Sequence, residues 1–147
     1  MAAFRGGFSA DYPRYSCEQL FALATDVENY PAFIPWCRSA RVVSRDGAVR
    51  EVDNHFGAGP ADLGFRTRAV ESPPNRLAIT SEDGPFRRFE LVWSFAPLAD
   101  GRGCRVRADY VVDFRSGWLQ GLARLTIHEV ERRVVRKFRD RARAVYG

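Results

Sequence analysis

At 147 residues the chain has room for one domain with one sizeable core, and 46% hydrophobic and 13% aromatic residues with no low-complexity tract exclude a disordered protein. No apolar run reaches the roughly 18 residues that cross a bilayer, and the first ten residues lack both the apolar core of a secretory signal and the length of a transit peptide, so a cytoplasmic location is expected. The formal charge of +5 is unevenly placed: residues 115–147 hold nine basic and three acidic side chains, a balance of +6, and everything before them sums to −1.

Bulky residues alternate over residues 4–12, which predicts a first strand. Ser16 and Gln19 then have the spacing of a capping box, and Leu20, Phe21, Leu23, Ala24 and Val27 follow at helical intervals, predicting an amphipathic helix of about eleven residues. Pro31 is expected to end or restart it, because proline has no N–H and biases the residue before it away from the helical region. Between Pro31 and Pro35 there is room only for a tight turn or a second brief helix, from which Phe33, Ile34 and Trp36 project. Cys17, Cys37 and Cys104 are an odd number at unrelated spacings and read as reduced thiols.

From residue 38 the period changes to two. Strands are predicted over residues 39–45, 48–56, 61–72, 76–82, 86–95 and 104–114, punctuated by Asp46-Gly47, Pro73-Pro74-Asn75, Asp83-Gly84-Pro85 and Asp100-Gly101. Turns this short pair neighbours antiparallel. In the last two strands Phe89, Leu91, Trp93 and Phe95, and then Cys104, Val106, Ala108, Tyr110, Val112 and Phe114, fall on one dry face. A final helix over residues 117–146 covers it with Leu119, Ala123, Ile127, Val130, Val134, Phe138, Ala142 and Val145, a stripe that Trp118, Leu122 and Leu125 are expected to widen. The result is an α+β architecture: a curved antiparallel sheet of about seven strands wrapped around one long helix, with two short helices closing one end.

The segment from Asp26 through Val27, Tyr30-Pro31 and Phe33-Ile34-Pro35-Trp36-Cys37, followed by Arg41-Val42 and the terminal Tyr146-Gly147, resembles the coenzyme Q-binding START-like proteins. These lie within the polyketide cyclase/dehydrase superfamily, whose bacterial relatives include the RatA-type ribosome association toxins. The resemblance implies a helix-grip fold with an apolar cavity between sheet and last helix. It further implies ubiquinone or a similar polyprenyl quinone as bound ligand, no other cofactor, and a role in respiration. The alternative it implies is attachment to the large ribosomal subunit, blocking subunit joining.

Side chains suited to line such a cavity are Phe65, Phe89, Leu91, Trp93, Tyr110, Val112, Phe114, Trp118 and Leu122, with Leu77 and Ile79, although a solid core would use the same residues. Phe33, Pro35 and Trp36 join the candidate lining from the proline segment, where they either wall the cavity, plug the core or dip into a bilayer interface. Tyr110, Asn54 and Arg68 are candidates to hold a ligand head. Arg132, Arg136, Arg139 and Arg143 recur at steps of four, three and four, a basic line able to meet the inner membrane surface or ribosomal RNA, or simply a solvated helix face.

Catalysis finds no linear motif. His55 and His128 stand far apart, no Cys or His spacing suits a metal, and Gly57-Ala58-Gly59-Pro60 sets a proline where a phosphate loop needs an amide. The reading is of a binding protein rather than an enzyme, with a polyketide cyclase-like activity as a third option.

Overall fold

The computed structural model describes residues 3–57 and 59–147. Met1 and Ala2, at the head of the segment read for a targeting signal, and Ala58, in the turn read against a phosphate loop, lie outside the described residues.

Seven strands, β1 (Phe4–Tyr12), β2 (Cys37–Asp46), β3 (Val49–Phe56), β4 (Leu63–Ser72), β5 (Arg76–Ser81), β6 (Phe86–Pro97) and β7 (Cys104–Phe114), are joined by α1 (Cys17–Thr25), a 3₁₀ helix (Val27–Ala32) and α2 (Gly117–Tyr146). They form one antiparallel sheet in the order β1-β7-β6-β5-β4-β3-β2. From β2 to β7 each strand pairs with its successor, as the short turns require; Gly47 at φ +58° supplies the left-handed residue of the β2–β3 hairpin. Because β1 instead pairs with β7, α1 and the 3₁₀ helix carry the chain from one edge of the sheet to the other. Register shifts in β2, at Cys37/Ser39 and Val42/Ser44, and in β6, at Phe86/Arg88, add coiling. This is the expected helix-grip arrangement.

The expected capping box starts α1: Gln19 N donates to Ser16 Oγ at 3.1 Å and Ser16 N donates to Gln19 Oε1 at 2.9 Å. The helix is nine residues long rather than eleven. After Asp26 the chain tightens into the 3₁₀ helix, with Pro31 inside it rather than at its end. That helix is closed by Phe33 N and Ile34 N, which both donate to the Tyr30 carbonyl, at 3.0 and 2.7 Å. Arg50, buried on β3, pairs with Glu71 of β4 at 2.7 Å and donates to the Thr25 carbonyl at 2.8 Å, fixing the end of α1 to the sheet.

One expectation is overturned in the core. Cys17 and Cys104 are joined in a disulfide, their Cα atoms 5.0 Å apart. They lie 87 residues apart in sequence and meet only because the first turn of α1 sits on the start of β7, so their spacing carried no signal of the pairing. Cys37 is the free, buried thiol.

The long helix is held unevenly. Ser116 caps it, and the buried Gln120 hooks its first turn to β7: Phe114 N donates to Gln120 Oε1 at 2.8 Å and Gln120 Nε2 donates to the Val112 carbonyl at 3.0 Å. Beyond that turn full burial returns only at Val134, Phe138 and Ala142. Phe138 sits among Tyr12, Phe33 and Trp93, with ring centroids 5.8, 5.9 and 5.3 Å away. Leu119, Ala123, Ile127 and Val130 are only half-buried. Trp118, Leu122 and Leu125 do not widen the stripe; they are 74%, 45% and 87% exposed. At about 100° per residue they fall within roughly 60° of one another and nearly opposite Ile127 and Val134. Val145, the last residue of the expected stripe, is exposed too.

Candidate functional site

Between the concave face of the sheet, the 3₁₀ helix and the middle of α2 lies an apolar cavity of about 200 Å³. Period-two alternation brings one side chain after another to it: Phe8 from β1, Val52, Asn54 and Phe56 from β3, Phe65, Thr67 and Ala69 from β4, Ile79 from β5, Phe89, Leu91 and Trp93 from β6, Tyr110 and Val112 from β7. Val27, Tyr30 and Ile34 close it from the cap, and Ile127, Val130, Glu131 and Val134 from α2. The half-buried state of Ile127 and Val130 follows from this: the helix stands off the sheet where the cavity lies.

The expected lining is therefore brought together in part. Phe65, Ile79, Phe89, Leu91, Trp93, Tyr110 and Val112 are there, with Asn54 among the polar candidates. Phe33 is instead a core plug, 2% exposed and packed on Tyr30 and Phe138. Leu77 is likewise fully buried in the core. Pro35 is buried in the turn before β2, outside the cavity. Trp36 is half-exposed at φ +61°, with the Arg133 guanidinium over its ring at 5.3 Å. Phe114 stacks on Phe86 at 4.7 Å and is not part of the lining, although the core cluster it joins includes Tyr110 and Val112. Trp118 and Leu122 face solvent, for the angular reason given above. Arg68 lies on the outer face of the sheet, in an open polar trough with Glu51, Arg66 and Glu90.

Among the lining residues not picked out from sequence are Phe8, Tyr30, Val52, Thr67, Ala69 and Glu131. Glu131 carried a readable signal, since it interrupts the Ile127–Val134 stripe at a position where the helix faces inward.

The polar groups of the cavity are few. The Tyr110 hydroxyl donates to Glu131 Oε2, and Glu131 Oε1 lies 3.3 Å from Nδ1 of the exposed His128. Burial, and then the neighbouring Glu131, raise the Tyr110 phenol far above its ordinary range, so it stays a donor. Gly6, opposite Tyr110 in the β1–β7 register, leaves room for this, since a Cβ there would overlap the hydroxyl. The Tyr30 hydroxyl donates to the Ala24 carbonyl at 2.5 Å, and burial keeps it protonated. Asn54 Nδ2 donates to the Val52 carbonyl at 3.1 Å, the Phe65 carbonyl at 3.3 Å and Thr67 Oγ1 at 3.0 Å, which fixes which end of the amide is nitrogen. The indole N–H of Trp93 is buried beside the Tyr30 hydroxyl, with no acceptor in ideal hydrogen-bonding geometry among the described residues.

An engineered apolar cavity of about 150 Å³ takes benzene, and pockets for drug-sized ligands start near 300 Å³. About 200 Å³ therefore suits one substituted ring or a short branched chain. No cluster of three His, Cys, Asp or Glu able to hold a metal occurs among the described residues.

Outside the cavity, Arg132, Arg136, Arg139 and Arg143 are exposed along α2. Arg132 pairs with Glu129 at 2.6 Å, and Arg139 lies over the Tyr12 ring at 5.2 Å. At about 100° per residue this line falls in the same angular sector as Trp118, Leu122 and Leu125. The outer face of α2 thus changes from apolar to basic along its length. No helix among the described residues is long and apolar enough to cross a membrane.

The family described as polyketide cyclase / dehydrase and lipid transport matches residues 14–139. The chain belongs to that family. It is 27% identical over 133 residues to the ribosome association toxin RatA of Pseudomonas aeruginosa, covering 90% of this chain and 92% of that one. It is 29% identical over 136 residues to the coenzyme Q-binding protein COQ10 homolog B, mitochondrial, of Xenopus laevis, covering 90% of this chain but only 56% of that relative. In fold it superposes on the Zhui aromatase/cyclase of Streptomyces sp. R1128 with a TM-score of 0.78 at 13% identity, over 97% of this chain and 94% of that one. The relatives similar in sequence and the structure similar in fold thus carry names that record different work.

Proposed function

We propose that this protein is a carrier of ubiquinone or a similar polyisoprenoid lipid, holding the ligand's ring in the cavity and passing it on at the inner membrane in support of respiratory electron transport. The observation that carries this reading is the apolar cavity of about 200 Å³. Each CH₂ moved out of water is worth about 0.8 kcal/mol, so a ring and the first isoprene unit supply several kcal/mol with no strong polar contact. A longer tail leaves past the half-buried Phe56, Phe65 and Ile127. Trp118, Leu122 and Leu125 form a patch suited to a bilayer interface, and the four arginines beyond them suit anionic headgroups. In this reading the protein is not an enzyme, needs no cofactor, and is cytoplasmic and peripheral to the membrane.

A second reading, a regulator bound to the large ribosomal subunit, is favoured by the same arginine line and by the near full-length similarity to RatA. Extraction of lipid from protein purified under mild conditions separates the two. Quinone in the extract supports carriage; its absence, together with cosedimentation on large subunits that is lost when Arg132, Arg136, Arg139 and Arg143 are changed to Glu, supports the second.

A further inference from the structure

Beside the cavity, where α2 runs past β1, lies an open groove of about 420 Å³ lined by Phe8, Glu131, Arg132, Val135, Arg136 and Arg139. Phe8 and Glu131 also line the cavity, so these two side chains form the wall between the two spaces. Because β1 is the outermost strand of the sheet, no further strand covers the groove. Its cross-section follows from the helix: at about 100° per residue, Glu131, Val135, Arg139, Arg132 and Arg136 succeed one another at steps of roughly 20–40°, from the cavity side outward. Half-buried Phe8 and Val135 thus lie deep, with the guanidiniums at the lip. Arg132 pairs with Glu129 and Arg139 lies over the Tyr12 ring, while Arg136 has no ion pair, hydrogen bond or ring contact among the described residues. Glu131 is the one acid of the lining, and its oxygens already meet the Tyr110 hydroxyl and His128. Three guanidiniums against that single carboxyl favour an anion, and their planar forks suit phosphate oxygens.

From this we infer that groove and cavity together take one amphiphile, an isoprenoid phosphate, with its oxyanion among Arg132, Arg136 and Arg139 and its chain passing Phe8 into the cavity. The inference rests on the proposal that the cavity takes a polyisoprenoid lipid, and it narrows that lipid to one with an anionic head. Polar recognition then falls outside the cavity, in keeping with walls that are almost entirely hydrocarbon. A neutral head offers the guanidiniums no charge to meet. An inorganic phosphate offers the charge but leaves the cavity empty, so neither half alone matches both spaces.

Calorimetric titration of the lipid-stripped protein with geranyl phosphate, geraniol and inorganic phosphate tests this, the two geranyl probes sharing one chain and differing in charge. Geranyl phosphate is expected to bind at least about tenfold more tightly than geraniol, the gap narrowing as salt rises, and inorganic phosphate more weakly than geranyl phosphate. Arg136→Gln should cut the gap to about threefold, and the triple change Arg132→Gln, Arg136→Gln, Arg139→Gln should abolish it with geraniol binding and the circular dichroism spectrum kept, since all three positions are exposed. Ala69→Phe, which fills the cavity, should weaken both geranyl probes alike. Equal binding of the two geranyl probes, or a gap that survives the triple change, overturns the inference while leaving carriage intact. Inorganic phosphate bound as tightly as geranyl phosphate, or geranyl phosphate bound undiminished by the Ala69→Phe protein, reports surface charge alone and overturns it as well. Failure of both geranyl probes where a short-tailed ubiquinone binds overturns the inference only; failure of all three overturns carriage with it.

Discussion

Two alanine substitutions on α2 test whether the helix is anchored through Phe138 and bare on the outward side of its first half. Phe138 is 1% exposed and its ring meets those of Tyr12, Phe33 and Trp93, so Phe138→Ala removes the contact that fastens the helix to both cap and sheet. Deleting a buried phenylalanine costs about 3–5 kcal/mol, and at this chain length each kcal/mol moves the melting midpoint by about 2–4 °C. The midpoint should fall by roughly 6–20 °C. Leu125 touches no core, and Leu125→Ala should change stability by less than about 0.5 kcal/mol. Circular dichroism through thermal and urea unfolding reads both. A Leu125→Ala variant as damaged as Phe138→Ala would mean that this outward side is packed after all. A loss below about 1 kcal/mol in Phe138→Ala would refute the anchor.

Ala69 lines the cavity and is almost fully buried, so Ala69→Phe should fill the space and abolish co-purification of lipid at an overpacking cost of about 1–3 kcal/mol; lipid retained at the original level would place the ligand elsewhere. Burial raises the Cys37 thiol from 9.0 to about 11 and the Tyr12 phenol from 10.0 to about 12, the latter against a pull from Arg139. The folded state then holds more protons than the unfolded one across that range, so stability is full below pH 9 and falls as pH rises toward 12. Cys37→Ala should flatten the loss between pH 9 and 11, and unchanged slopes in urea titrations would contradict the assignment. Denatured without reductant, the protein should titrate as one thiol, and as three after reduction; three at the outset would remove the Cys17–Cys104 bridge, which closes a loop worth about 4–5 kcal/mol by chain entropy.

The sheet and both helices were legible because their signals are local. Ser16 with Gln19, Asp46-Gly47 and the alternation from Phe89 to Phe95 each act within a few residues, and each stands where the pattern places it. Legibility failed where distance along the chain stopped mattering. Nothing near Cys17 announces Cys104, and nothing in the proline segment says that Phe33 turns into the core while Trp36 turns out. The cavity lining from β6 and β7 could be read because inward positions repeat every second residue. That from α2 was misread for a different reason: apolar character at Trp118 and Leu122 was weighed without their angle, and Glu131, counted only in the charge balance, was given no place on the helix.

The pairing of β1 with β7 has a temporal side. Phe4 finds its partner at Val112 and Tyr12 at Cys104, so β1, once synthesised, waits for roughly a hundred further residues before it can be hydrogen-bonded into a ladder. Until then the nascent sheet has an unzipped margin and no roof. A chain interrupted between β6 and α2 would expose the greasy inner surface of β3 to β6 to its neighbours, and such fragments should be prompt clients of chaperones and proteases.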